Sequence, residues 1–325
     1  MEENIFRSRV DLSSLTQQVQ AVKAEIGKVI VGQETMIDQL ITAILADGHV
    51  LIEGVPGVAK TLTAKLLSKV ISVDFSRIQF TPDLMPSDVL GTSVFNLKTS
   101  EFEFKAGPIF SNIVLIDEIN RAPAKTQSAL FEVMEERQVT IDGNTYVMKN
   151  PYLVVATQNP IEHEGTYRLP EAQLDRFLFK IVVNYPSGEQ EEDILQRHHD
   201  RKGAQPTQTI TPVLTAADIE AFRGYAHQVH VEKKLIQYIA SIVQETRNNP
   251  MLFLGASPRA SIALLVSAKA YAALQGRDFV SPEDIKFVAL PVLRHRLLLS
   301  PEKEMEGIST DEVVKQIIDK VEVPR

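Results

Sequence analysis

The chain has 325 residues, a net charge of −8 at neutral pH and no cysteine. The missing cysteines exclude disulfides and thiolate metal sites, and the acidic balance argues against nucleic acid as a partner. No stretch approaches the ~20 apolar residues of a membrane span, and Met1 to Ser8 lacks the apolar core of a signal peptide. We therefore expect a cytoplasmic protein without a membrane span, and the length predicts two domains.

Helical periodicity predicts two amphipathic helices at the start of the chain. Apolar residues recur at spacings of three and four from Leu15 to Val29 and from Met36 to Leu45, with a break at Ile30-Val31-Gly32. The short apolar run Val50 to Ile52 then predicts a buried strand. A further periodic stretch, Leu62 to Val70, predicts the helix that follows it.

A candidate phosphate-binding loop joins this strand to this helix. It reads Gly54-Val55-Pro56-Gly57-Val58-Ala59-Lys60-Thr61-Leu62. In such a loop, glycines let backbone N–H groups point at phosphate oxygens, and the next helix presents its positive end. We expect Lys60 to reach the phosphates and Thr61 to ligand Mg²⁺. Because Ala59 replaces the glycine of the strict motif, the competing interpretation is an ordinary glycine-rich turn.

The pattern of the next hundred residues predicts an α/β doubly wound parallel sheet, because apolar runs alternate with helical segments. The predicted strands are Phe75 to Phe80, Asn112 to Asp117, Tyr152 to Thr157 and Phe177 to Val183. Alternating residues around polar turns also predict two hairpins, at 94–104 and 139–147.

The pattern changes after Tyr185-Pro186-Ser187-Gly188, where helical periodicity alone continues. A capping box of Thr215 and Asp218 and two Ser-Pro helix starts support this interpretation. We therefore predict a nucleotide-binding α/β domain over residues 1–187. Residues 188–325 are predicted to form a small all-helical lid domain without strands.

Polar residues directly follow two of the predicted buried strands. Asp117 and Glu118 end one strand, and Asn159 follows another in Thr157-Gln158-Asn159-Pro160. Phosphoryl transfer to water needs a metal ligand and a group that orients the water, and these are roles that suit Asp117 and Glu118 respectively. Asn159 could bond the water or the γ-phosphate. The competing interpretations are a solvated Asp-Glu pair and an Asn-Pro turn.

Five motifs in order resemble the MoxR family of AAA+ ATPases, and the resemblance runs from about Val29 to beyond Arg259. The motifs are the loop Gly54 to Thr61, the stretch Asp117 to Pro123, the step Thr157 to Pro160, the stretch Leu169 to Phe177 and the stretch Gly255 to Ala260. The two hairpins match the helix 2 insert and the pre-sensor hairpin of that branch.

The resemblance implies a role for each matching position. The roles are Walker A for Lys60 and Thr61, Walker B for Asp117 and Glu118, sensor 1 for Asn159, an arginine finger offered to the neighbouring subunit for Arg176, sensor 2 for Arg259 and adenine packing for Ile30-Val31-Gly32. The implied cofactors are ATP and Mg²⁺. Arg168 stands where we expect proline, so it is a second candidate for the finger, and a structural salt bridge is the alternative for either arginine. Arg121 is an interface candidate without an assigned role.

The resemblance implies a homo-oligomer, a hexameric ring that hydrolyses ATP to remodel other proteins. Partners of such chaperone-like ATPases often contain a von Willebrand factor A domain. Two other functions compete with this expectation. One is a motor that acts on nucleic acid, which the acidic charge disfavours, and the other is a nucleotide-gated scaffold with little turnover.

Overall fold

Strands and helices alternate through the first half of the computed structural model, which describes residues 11–159, 167 and 169–324. The strands in chain order are β1 (Val50–Gly54), β2 (Phe75–Gln79), β3 (Gly91–Asn96), β4 (Glu101–Ala106), β5 (Ile113–Asp117), β6 (Gln138–Ile141), β7 (Asn144–Val147), β8 (Leu153–Gln158), β9 (Phe179–Val183), β10 (Leu252–Leu254) and β11 (Leu298–Leu299). The helices are α1 (Ser13–Gly27), α2 (Glu34–Leu45), α3 (Lys60–Val70), α4 (Pro86–Leu90), α5 (Ala124–Glu136), α6 (Glu171–Leu174), α7 (Gly188–Asp200), α8 (Ala216–Gln228), α9 (Lys233–Asn248), α10 (Pro258–Leu274), α11 (Pro282–Leu293), α12 (Pro301–Met305) and α13 (Thr310–Lys320).

Five strands form one parallel sheet in the order β2-β5-β8-β1-β9. The chain crosses from β1 to the edge strand β2, returns through β5 to β8, and then passes β1 to reach β9. The carboxyl ends of β5, β8 and β1 are therefore neighbours at one edge, where ligands bind in sheets of this kind. The predicted doubly wound sheet is confirmed.

Both faces of the sheet are covered, which explains why its strands are unbroken apolar runs. Alternate residues of β5 enter two different cores. Ile113 and Leu115 join a cluster that includes α1, α2 and α3, whereas Val114 and Ile116 join a second cluster built largely on α5. This alternation is the period of two that a strand imposes on its side chains.

The two predicted hairpins are confirmed, and they contact each other. β3 pairs with β4 and β6 pairs with β7, each in antiparallel register. The Ser93 hydroxyl of the first hairpin donates to the Asp142 carboxylate of the second. The rings of Phe104 and Tyr146 stack with centroids 4.2 Å apart. The two hairpins therefore form one unit, which we call the joined hairpins.

The second half of the chain is mostly helical, but one part of the prediction is wrong. A small antiparallel pair joins β10 to β11, with Leu252 opposite Leu299. These strands have three and two residues, which is too short for alternation to be visible in a sequence. The division of the chain at about residue 187 stays a prediction. Helices α8 and α10 share one hydrophobic cluster with α1 and α2.

A buried arginine joins α8 to the end of α2 and to the segment between α2 and β1. Arg223 of α8 donates from Nε to the Ile44 carbonyl at 2.8 Å and lies 2.9 Å from the Asp47 carboxylate. Nearby, the Nδ1 of His49 accepts from the backbone N–H of Val154 at 3.0 Å. Burial and the adjacent Arg137 lower the pKa of His49 to about 3. His49 is therefore neutral at physiological pH.

In the part of the chain that the structure describes, no helix is long and apolar enough to span a bilayer.

Candidate functional site

The loop between β1 and α3 has the shape that phosphate binding requires. Gly57 has a φ of 89° and Ala59 a φ of 60°, so both adopt the left-handed region. For alanine this conformation costs roughly 1–2 kcal/mol, which is the reason that the strict motif has glycine at that position. The Lys60 ammonium donates to the Gly54 carbonyl across the loop. Pro56 and Gly57 are exposed, so the loop is open to solvent.

Asp117 lies buried at the end of β5 and accepts hydrogen bonds from three different elements. One carboxylate oxygen accepts from the Thr157 hydroxyl at 3.1 Å and from the Thr61 hydroxyl at 3.4 Å. The other oxygen lies 2.6 Å from Nε of Arg77 on β2. The structure thus brings Thr61 and Asp117 together, as the sequence predicts for the two metal ligands.

Glu118 follows directly and is held in an unusual backbone conformation, with a φ of 58°. Its backbone N–H donates to the Thr157 hydroxyl at 3.1 Å. Its carboxylate accepts from the Gln79 amide at 2.8 Å and pairs with Arg121 at 3.2 Å. The carboxylate is therefore fixed beside Asp117 while remaining partly exposed. Arg121, which had no assigned role, is a direct partner of this carboxylate.

Asn159 follows β8 and is buried next to this edge of the sheet. The preceding residue, Gln158, is in register with Glu53 at the start of the phosphate loop. The loop, the Asp117-Glu118 pair and Asn159 therefore meet at the carboxyl ends of three adjacent strands. Pro160 lies outside the described residues.

Three residues of this site were not predicted from the sequence. Thr157 donates to Asp117 and accepts from Glu118, so one hydroxyl joins both carboxylate-bearing residues. Arg77 and Gln79 contact the same two residues from β2. The spacing of Arg77 and Gln79 by two places them on one face of a strand, which was a usable signal.

The two predicted arginines lie elsewhere in the fold. Nη1 of Arg176 donates to the Phe131 carbonyl, and Nη2 of Arg259 lies 2.6 Å from Oε1 of Glu135. Both partners belong to α5, which ends near the amino end of β8, where Arg137 bonds the Tyr152 carbonyl. The two arginines thus lie toward the amino-terminal edge of the sheet. A five-residue strand spans roughly 16 Å, and this length separates that edge from the one that carries the loop. Arg168 lies outside the described residues.

The segment predicted to pack the adenine lies where the sheet domain meets α7. Ile30 is buried, and Gly32 has a φ of 72°. A Cβ atom at Gly32 would lie 2.3 Å from the side chain of Gln190 in α7. Gly32 therefore serves both the turn and the close approach of α7.

The donor set fits Mg²⁺ held together with a nucleotide. Mg²⁺ in such sites takes one or two carboxylate or hydroxyl ligands and completes its shell with phosphate oxygens and water. Thr61 and Asp117 provide one hydroxyl and one carboxylate. Among the described residues, no group of three or more His, Cys, Asp or Glu side chains could hold a metal without such a ligand.

Comparison with known protein families matches two parts of the chain. Residues 49–179 match the model of the ATPase family associated with various cellular activities, and residues 244–317 match the AAA lid domain. The first range contains the loop, the Asp117-Glu118 pair, Asn159 and Arg176. The second contains Arg259.

Related proteins match over nearly the full chain. Chaperone MoxR1 of Mycobacterium tuberculosis is 45% identical over 93% of this chain and 81% of its own length. Protein MoxR of Paracoccus denitrificans is 30% identical over 87% of this chain and 89% of its own. A crystal structure from Cytophaga hutchinsonii, described as that of a candidate ATPase, superposes with a TM-score of 0.89 at 44% identity and 97% coverage of both chains.

Proposed function

Because the chain belongs to the MoxR family of AAA+ ATPases, we propose that it binds Mg²⁺-ATP in the loop after β1 and hydrolyses it. The observation that carries this proposal is the meeting of Lys60, Asp117 and Glu118 at one edge of the sheet. Thr157 joins the last two through a single hydroxyl. ATP supplies the electrophilic γ-phosphorus when bound, and Mg²⁺ neutralises its oxygens.

Each residue of the chain has a distinct part in the proposed reaction. The amino end of α3 and the Lys60 ammonium bind the phosphates, and Thr61 and Asp117 hold the metal. Glu118 orients the attacking water and accepts its proton. The bonds from Gln79 and Arg121 fix that carboxylate in place. Asn159 binds the same water or the γ-phosphate.

Neither of the two arginines that the resemblance assigns to nucleotide binding contacts the loop of its own chain, and this supports an oligomeric mechanism. Arg176 and Arg259 contact α5, toward the opposite edge of the sheet from Lys60. We propose that the protein forms a hexameric ring in which Arg176 of one protomer enters the nucleotide site of the next. An arginine supplied in this way can raise the rate by ~10³ to 10⁵.

We propose that hydrolysis drives the remodelling of a partner protein. A relative that is 45% identical is named a chaperone. The joined hairpins expose apolar side chains, including the Phe95 and Phe102 pair, which a protein client could contact. A client with a von Willebrand factor A domain is the partner that the family resemblance implies.

A mixing experiment tests the trans arginine. The Arg176→Ala protein keeps an intact nucleotide site, whereas the Lys60→Ala protein keeps the arginine. Each should hydrolyse ATP poorly alone, and a mixture should recover activity because some interfaces combine an intact site with an intact arginine. Mixed rings that show no recovery would mean that Arg176 does not act between protomers.

A further inference from the structure

A lid arginine, Arg296, contacts the segment that carries Arg176. Its side chain is 3% exposed, and its Nε lies 2.7 Å from the Asp175 carboxylate. We call residues 175–178 the finger segment. The lid therefore contacts this segment at a residue next to the arginine that we assign to the neighbouring site.

Arg296 binds the backbone of the finger segment as well as its carboxylate. Nη2 donates to the Asp175 carbonyl at 3.1 Å and to the Phe177 carbonyl at 2.7 Å. Nη1 donates to the Leu178 carbonyl at 3.2 Å and to the carbonyl of Val292 in α11. The planar guanidinium of Arg296 thus joins α11 to three of the four residues of the finger segment, on both sides of Arg176. Lysine could not reproduce this pattern, since its ammonium has three donors and no fixed plane.

The neighbouring lid residues add two more contacts to the same segment. Nε2 of His295 lies 3.0 Å from the Phe177 carbonyl. Burial, and then the charge of Arg296, hold the pKa of His295 well below its usual value. His295 is therefore neutral, and the ring donates from Nε2. The hydroxyl of Ser257, which begins α10, lies 3.4 Å from the Asp175 carboxylate.

The Arg176 side chain is held differently from the backbone of its segment. Among the residues that the structure describes, its guanidinium donates from Nη1 to the Phe131 carbonyl. The direction in which Arg176 leaves the surface therefore depends on the backbone of the finger segment. Arg296 binds that backbone at three carbonyls, those of Asp175, Phe177 and Leu178.

We propose that Arg296 is a positioning residue that sets Arg176 for the nucleotide site of the next protomer. The lid of one protomer then controls the rate of hydrolysis at its neighbour's site. This inference rests on the proposed trans role of Arg176. A misplacement of about 1 Å at a catalytic group can lower a rate by about 100-fold. Loss of the Arg296 contacts should therefore lower hydrolysis at the neighbouring site by about 10- to 100-fold.

The test adds Arg296→Lys to one component of the Arg176→Ala and Lys60→Ala mixture at a time. In the Lys60→Ala protein, which donates Arg176, the change should lower the recovered kcat by about tenfold or more. The KM for ATP should not change. In the Arg176→Ala protein, which has no finger to position, the same change should leave the recovery intact. Both mixtures contain the same substitution, so any general loss of stability is common to the two.

Arg294→Lys in the Lys60→Ala protein is the matched control. Arg294 is also largely buried and ion-paired, at 3.0 Å from Asp311 of α13. The other carboxylate that acts on it is Glu53 of β1, so neither group belongs to the finger segment. Recovery should survive this change. If Arg296→Lys does not fold, Asp175→Asn removes the same ion pair while keeping the carbonyl acceptors, and it should lower recovery in the same direction.

The outcomes separate the inference from the proposed function. Full recovery with Arg296→Lys in the donor protein would overturn the inference and leave the trans arginine in place. Equal losses in the two placements would also overturn it, because a purely structural role has no preferred placement. Failure of the parent mixture to recover would remove the trans arginine, and the inference would fall with it.

Discussion

Thr157→Val removes the hydroxyl that joins Asp117 and Glu118, the proposed Walker B pair, and it does so with little change in volume. The Thr157 side chain is 3% exposed. Its hydroxyl donates to the Asp117 carboxylate at 3.1 Å and accepts from the Glu118 N–H at 3.1 Å. The substitution therefore deletes a bond to a charged group and leaves a backbone donor without that acceptor.

The magnitude follows from these two contacts. A hydrogen bond to a charged group contributes roughly 1.5–3 kcal/mol, and an unsatisfied buried donor costs roughly 1–3 kcal/mol. Both effects act through one hydroxyl and are not fully additive, so we expect the free energy of unfolding to fall by about 2–4 kcal/mol. The kcat for ATP should fall as well, because Asp117 and Glu118 lose their shared partner.

Urea denaturation of the nucleotide-free protein measures this loss. The chain has no tryptophan, so circular dichroism is the suitable signal. Thr157→Ser is the matched control, since it keeps the hydroxyl and removes one methyl group, at a cost of roughly 1 kcal/mol. The reasoning would be refuted if the valine variant were as stable as the serine variant.

Three further predictions concern stability. Gly255→Ala should lower the free energy of unfolding by about 1–3 kcal/mol, because its Cβ would lie 2.7 Å from the Arg247 Cα. Gly224 lies in the middle of α8 with open space around it, so Gly224→Ala should raise the free energy of unfolding by roughly 0.5–1 kcal/mol. Urea denaturation that found the Gly255→Ala protein more stable than the Gly224→Ala protein would contradict both predictions. The pKa of His49 is about 3 in the folded protein, against 6.5 for an ordinary histidine. Below pH 6.5 the unfolded chain therefore binds a proton at His49 that the folded chain does not, and stability falls as the pH drops. Between pH 7.5 and 5 the wild type should lose about 2 kcal/mol more than His49→Gln, and equal losses would count against a neutral buried His49.

The sheet and its loop could be predicted because local patterns determine them. Unbroken apolar runs such as Ile113 to Asp117 indicate buried parallel strands, and a turn such as Asp142-Gly143 indicates a hairpin. The position of Asp117 at the end of β5, and of Lys60 in the loop that follows β1, then followed from topology. The strands β10 and β11 were missed because two or three residues carry no period.

Contacts between distant parts of the chain could not be predicted. Arg296 and Asp175 are 121 residues apart, and Arg259 and Glu135 are 124 apart. A sequence shows the charges of such residues but not the edge of the sheet at which they meet. For the same reason, the sequence resemblance named Arg176 and Arg259 without showing that both contact α5.

ATP turnover by the Glu118→Gln variant tests the central claim most directly, when it is measured at a protein concentration that supports assembly and alongside binding of a fluorescent ATP analogue. Glutamine keeps the size of the side chain but cannot accept the proton of the attacking water. We predict that binding stays within about twofold of the wild type while kcat falls by about 100-fold or more. Turnover close to the wild-type value with binding intact would contradict the account.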